Sequence, residues 1–421
     1  MKSIFTLKKL LLVAAVMFTL NGFGQMTSQT VSISTGYTNQ TFYSMNNGVL
    51  SSVSNTDWDL GFQLRGFAAS ILINSKNNVH LYRANKDISQ WSTMTSYDTT
   101  GIISDPSYEL FNSDISWDFG AFNRTNDTAN AFDLGWGLYD FNTHAITGDS
   151  IYFLKLNNGD YKKLWLESLA GGIYTFRWAD LDGANEISSY INKSTYQGKF
   201  FVYQSIANNT TIDREPVYNT WDLTLQQYLS LTPFIYKVTG VLSNDSVSAA
   251  KAYPVDVAST TNTGQIFGEE INKIGYDWKA YDFNTNVWTI ADSTCYFLRD
   301  RQGNYWKIIF TGFGGSADGN FYFDQEPATP TGISETGMIT GLGIFPNPAS
   351  SNARLMLDAK AAGKAVLMIC DVSGRQFETQ TIQLNSGVQA VDMNLQYLLP
   401  GLYQVVVTQG NERQVSRIVI Q

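Results

Sequence analysis

Two cysteines and two histidines are all that 421 residues offer to thiol and imidazole chemistry. An exported chain this poor in cysteine has no disulfide framework, so its stability must come from buried apolar cores. Cys295 and Cys370 each lie inside an apolar run, TCYFL and LMICDV. That placement marks them as small buried hydrophobes in separate domains rather than a bonded pair. The HExxH, His-x-x-x-His, Cys-x-x-Cys and GxSxG patterns are all missing, and with them the common zinc, redox and serine-hydrolase signatures. The chain is expected not to be an enzyme. Charge is scarce as well, at 15% of residues with a net charge of −9, and no Lys/Arg cluster stands ready to meet phosphates. Nucleic acid is excluded as a partner on that ground.

What the chain does have is apolar and aromatic, 43% and 14% of residues, broken up by Asn, Thr, Ser and Gly. Val, Ile, Phe, Tyr and Trp in short runs between turn-formers predict an all-β protein. At the N-terminus, Lys2, Lys8 and Lys9 precede an apolar run from Leu10 to Leu20, and Asn21-Gly22-Phe23-Gly24 follow. Residues 1–25 therefore read as a signal peptide, since the apolar run is too short for a membrane anchor.

Two stretches of the chain are near copies. WGLYDFNTH from Trp136 matches WKAYDFNTN from Trp278, and IYFLKLNNGDYKKLWLESL from Ile151 matches CYFLRDRQGNYWKIIFTGF from Cys295. An earlier pair, NTDWDLGFQL and YNTWDLTLQQ, keeps the same order around Trp58 and Trp221. Ordered matches of this kind mean a duplicated β-unit. The first unit is expected over residues 26–190 and the second over 191–326, with about 21 extra residues in the middle of the first, read as an unconstrained loop. Gly159 and Gly303 fall at tight reversals that require positive φ. Each Trp-Asp-Leu is expected to supply a core tryptophan beside a turn-capping carboxylate.

Residues 327–343, rich in Pro, Gly, Thr and Ser, read as a linker. After them, residues 344–421 form six or seven short alternating runs, the pattern of a small immunoglobulin-like β-sandwich. This segment resembles the type A C-terminal sorting domain of proteins exported by the type IX secretion system. The resemblance rests on Phe345-Pro346-Asn347-Pro348, Asp371-Val372-Ser373-Gly374-Arg375, Leu399-Pro400-Gly401-Leu402-Tyr403 and the closing run Arg413–Ile420. It implies recognition by the outer-membrane translocon and a secreted or surface-attached product.

The duplicated units resemble the HmuY-like family of surface haem-binding proteins, through FYSMNNGVL and TDWDLGF, YDFNTH and the strand–turn–strand block that follows it. That resemblance implies two tandem HmuY-like β-rich units and haem, or a related tetrapyrrole, as cofactor. The chain's only imidazoles, His80 and His144, are then the candidate axial ligands, with Met45 and Met94 as conceivable substitutes. The second copy has Asn286 where the first has His144, so it cannot repeat that ligand. Asp180-Leu181-Asp182-Gly183 with Glu186 is a partial match to a calcium loop. The alternative to haem is a glycan- or protein-binding surface adhesin, using exposed members of the large aromatic complement.

Overall fold

Alternation along the strands decides the architecture. In Ile173–Asp180, Tyr174, Phe176 and Trp178 point inward while Ile173, Thr175 and Arg177 stay partly exposed, and Asn352–Ala359 repeats the pattern with Ala353, Leu355 and Leu357. The computed structural model describes residues 26–66, 68–130, 132–328, 339–371, 375–410 and 412–420. The expected signal peptide, most of the linker and Val372–Gly374 of the tail lie outside these. The chain divides near Thr329 into two units, both all-β.

In the first unit, the opening copy of the repeat supplies β1 (Thr27–Ser32), β2 (Asn39–Ser44), β3 (Gly48–Ser54), β4 (Leu60–Gln63), β5 (Ile71–Ile73) and β6 (His80–Arg83). A long excursion holds the short β7 (Glu109–Leu110). Then come β8 (Gly137–Asp140), β9 (Ala145–Gly148), β10 (Ile151–Lys155), β11 (Tyr161–Ala170) and β12 (Ile173–Asp180). The second copy supplies β13 (Ile187–Asn192), β14 (Phe201–Ser205), β15 (Thr210–Ile212), β16 (Leu223–Ser230), β17 (Tyr236–Ser243) and β18 (Ser248–Ala252). It closes with β19 (Lys279–Asp282), β20 (Val287–Ile290), β21 (Cys295–Arg299), β22 (Tyr305–Phe313) and β23 (Asn320–Pro327).

The two copies fold into each other. One outer sheet runs β13-β12-β11-β10-β6-β7 and the other β1-β23-β22-β21-β18, so each takes its edge strand from the other copy. Two inner sheets, β15-β14-β4-β5 and β17-β16-β2-β3, are mixed in the same reciprocal way. Registers agree between them: Leu60 faces Gln204 in one and Leu223 faces Tyr43 in the other. A bulge recurs in β11 between Leu166 and Ser168 and in β22 between Phe310 and Gly312. Gly159 and Gly303 adopt φ of 93° and 87° at the turns assigned to them. Position 190 falls inside β13, so the expected boundary at 190/191 does not separate two bodies. The cause is pairing: β13 is the sequence neighbour of β12, and β1 fills the matching place beside β23.

The Trp-Asp-Leu blocks latch this exchange. Trp58 and Trp221 are buried, as are Asp59 and Asp222. Asp59 Oδ2 accepts from the Ile206 and Ala207 amides at 2.7 and 3.2 Å, capping the turn after β14 of the other copy. Reciprocally, Asp222 Oδ2 accepts from the Met45 amide, just past β2, at 2.8 Å. Burial pushes both carboxyls above their ordinary range, against the pull of these bonds. Asn74 Nδ2 bonds the Asn55 and Trp58 carbonyls, and Asn244 Nδ2 bonds those of Tyr218 and Trp221.

The excess of the first copy lies between β6 and β8, residues 84–136 against 253–278 between β18 and β19. It is not an unconstrained loop. Asp114 accepts from the Leu231 amide at 3.0 Å, the Ile115 carbonyl from the Ile271 amide at 3.1 Å, and Trp117 Nε1 donates to the Ser243 carbonyl at 2.8 Å. These bonds tie Asn112–Asp118 to the second copy.

The second unit is a sandwich of β24 (Ile339–Phe345), β25 (Asn352–Ala359), β26 (Gly363–Asp371), β27 (Gln376–Leu384), β28 (Gly387–Asn394), β29 (Gly401–Gln409) and β30 (Glu412–Ile420). Sheets β24-β25-β28 and β27-β26-β29-β30 close on one core around Leu355, Leu367, Ile369 and Val405. The expected linker is shortened, because Ile339–Gly343 belong to β24. Cys295 and Cys370 are buried and unbonded, one in each unit.

Candidate functional site

His80 and His144 do not converge. His80 opens β6 opposite Lys155, which itself faces Tyr161 at the start of β11. His144 precedes β9, whose Ile146 faces Leu169 near the far end of β11. The register thus separates them by eight or more residues along the strand, on the order of 25 Å. Two imidazoles on one haem iron must flank a single atom. The strand register does not bring these two candidate ligands together. His80 Nδ1 lies 2.5 Å from Glu109 Oε1, and Met45 and Met94 are buried in apolar clusters. The partial calcium loop is taken too. Asp180 bonds Lys162 and Asn185, and Glu186 bonds Trp91 Nε1 and Arg177. Among the described residues no group of three or more His, Cys, Asp or Glu gathers as a metal site.

His144 has a structural reason to be where it is. It closes the β8–β9 hairpin with φ 54°, and Asn286 closes β19–β20 with φ 57°. Asn tolerates this left-handed conformation well and His several-fold better than most residues. Tyr139 Oη lies 2.7 Å from His144 Nδ1, and Tyr281 Oη donates to Asn286 Oδ1 at 3.2 Å. Asp140 Oδ1 accepts from the Asn142 amide at 2.7 Å, and Asp282 Oδ1 from Asn284 at 2.8 Å. These backbone bonds hold both carboxyls below their ordinary pKa.

Turn geometry accounts for every residue of the shared YDFNT except one. Phe141 is 70% exposed and Phe283 is 84% exposed. Phe283 meets Tyr281 edge-on at 5.1 Å and Phe141 meets His144 at 6.0 Å, so each tip is a small aromatic platform. Leu138 and Val287 extend it along the flanking strands, 45% and 53% exposed. Both phenylalanines stand mainly in solvent, and the residue is kept in both copies. An apolar residue in the middle of a repeated turn is the sequence signal for this site.

In the tail, the motif residues cap the sandwich. Asn347 Nδ2 donates to the Arg417 carbonyl and its Oδ1 accepts from the Val419 amide, each at 2.9 Å, pinning the Pro-Asn-Pro turn to β30. Tyr403 Oη closes the Leu-Pro-Gly turn on the Leu399 carbonyl at 2.9 Å. Residues 343–421 match the family of the secretion system C-terminal sorting domain. The tail is a type IX sorting signal. It directs the chain to export through that system, to the cell surface or the surrounding medium. No helix among the described residues is long and apolar enough to cross a membrane.

No curated protein matches the chain. Among solved structures, dimeric latent PorU from Porphyromonas gingivalis is similar at 11% identity and a TM-score of 0.20, over 66% of this chain and 26% of that one. The BSP domain of a biofilm-associated protein is similar at 10% identity and a TM-score of 0.18, over 94% and 81%.

Proposed function

We propose that the chain is a non-enzymatic adhesin that holds an uncharged, repetitive polysaccharide through its two hairpin tips. The observation that supports this reading is the exposed phenylalanine kept in both copies of the turn, Phe141 and Phe283. Two equal contact points in one chain favour a partner that offers the same unit many times. Aromatic faces meet the C–H face of a sugar ring, and Asn142 and Asn284 stand one residue away to bond its hydroxyls. A net charge of −9 and an aspartate at the base of each tip weigh against a polyanion. Joint engagement multiplies affinity without new contacts.

The purified exported chain is expected to be retained by at least one of insoluble cellulose, chitin or mannan. Phe141→Ala or Phe283→Ala alone should weaken retention at least tenfold by removing avidity, and the double variant should abolish it. Equal retention of the double variant and the parent would refute the reading. Haem, the ligand implied by the HmuY-like resemblance, does not suit two histidines held at opposite ends of a sheet. Added haemin is expected to give no bis-imidazole Soret band, and a band lost in both His80→Ala and His144→Ala would reverse that conclusion.

A further inference from the structure

The inner sheets meet in a cleft to which both copies contribute, and the first copy's excursion covers it. It has an inner chamber of about 70 Å³ and an outer one of about 360 Å³, and Asp114 and Tyr228 line both. The inner chamber has room for a few waters, while the outer falls within the span of small-molecule sites. Trp58 and Trp117 wall the inner chamber, and Tyr276 and Asp277 help line the outer one.

Two buried hydroxyls on this cleft bond to nothing in the protein. They are Tyr228 Oη, from β16 of the second copy, and Ser75 Oγ, from the turn after β5 of the first. A buried hydroxyl without a partner costs about 1–3 kcal/mol, so native proteins keep few of them. Two on one cleft, from opposite copies, mark a place where a partner supplies the missing bonds. The charged groups around the outer chamber are largely paired: Lys251 with Asp277 at 2.6 Å and Lys273 with Glu270 at 3.5 Å. That pairing leaves the cleft suited to a neutral ligand. We infer that the cleft is a binding site for a small uncharged polyhydroxyl compound, a single sugar or a disaccharide, held in the outer chamber and recognised by the Tyr228 hydroxyl at its inner end and, through waters of the inner chamber, by the Ser75 hydroxyl. The site is separate from the hairpin tips and stands or falls independently of the adhesin reading.

The test is saturation-transfer NMR and calorimetry on the full exported chain with glucose, galactose, mannose, N-acetylglucosamine and their common disaccharides. At least one is expected to bind. Tyr228→Phe should weaken that binding at least tenfold while the melting temperature holds or rises, because an orphaned hydroxyl has been removed. Ser75→Ala, a smaller change, should weaken it severalfold without unfolding the protein, which keeps the test decisive if Tyr228→Phe folds poorly. Phe141→Ala and Phe283→Ala should leave it unchanged. Absence of binding by every sugar tried, or parent-like binding by both hydroxyl variants, would overturn the inference even if the hairpin variants had lost their polymer.

Discussion

Replacing Lys279 by methionine is expected to stabilise the first unit relative to the parent, by an amount that grows as the pH falls from 9.5 to 7. Lys279 is buried at the root of the β19–β20 hairpin. Its Nζ lies 4.3 Å from the Trp278 ring centroid, 4.6 Å from Phe313 and 5.6 Å from Trp288, and donates to the Thr239 carbonyl at 2.5 Å. Burial outweighs the attraction of Asp277 and brings its pKa down to about 7. The unfolded lysine titrates near 10.4. Between those two values the unfolded chain binds the extra proton, so parental stability rises with pH across the window and is lost as the pH falls through it. Methionine fills similar space without charge and abolishes the dependence. The difference between variant and parent should therefore change by up to about 1.4 kcal/mol per pH unit. Thermal melts of both proteins at matched ionic strength measure it. A difference that stays flat over this range would mean that Lys279 is not held neutral.

Asp59→Ala is expected to cost about 3–5 kcal/mol, because it strands donors that the other copy has buried. The amides of Ile206 and Ala207 and the Ser205 hydroxyl, at 2.7, 3.2 and 3.3 Å, would all lose the same acceptor. Asp222→Ala should cost less, about 1–3 kcal/mol, since it strands chiefly the Met45 amide at 2.8 Å. Urea unfolding of the two variants measures both. A loss under about 1 kcal/mol for Asp59→Ala would remove the latch from the account of stability.

Those aspartates also mark how far the sequence could be read. The glycines at positive φ and the strand–turn–strand blocks depend on neighbours within a few residues, so their roles were visible in the letters, whereas Asp59 and Asp222 find their partners in the other copy. The exchange between copies was not visible, because identical strands carry no label saying which copy they pair with. Only closure of the cycle decides it: β13 follows β12 in the chain, and the matching place beside β23 is left for β1, some 300 residues away in sequence. The structural role of His144 was hidden for a related reason. Its type suggested a ligand, while its position, shared with Asn286, called for a left-handed turn residue. Tyr228 carried no signal at all, since its free hydroxyl arises only where sheets from both copies meet.

Separating the copies tests the interleaved fold most directly. The chain can be divided at the exposed turn between β12 and β13, with residues 26–183 and 184–328 produced separately, since β1, β13 and both inner sheets cross that line. Each piece alone is expected to lack a cooperative melting transition, and mixing should restore one in a 1:1 complex. Two pieces that each melt cooperatively as monomers would contradict it.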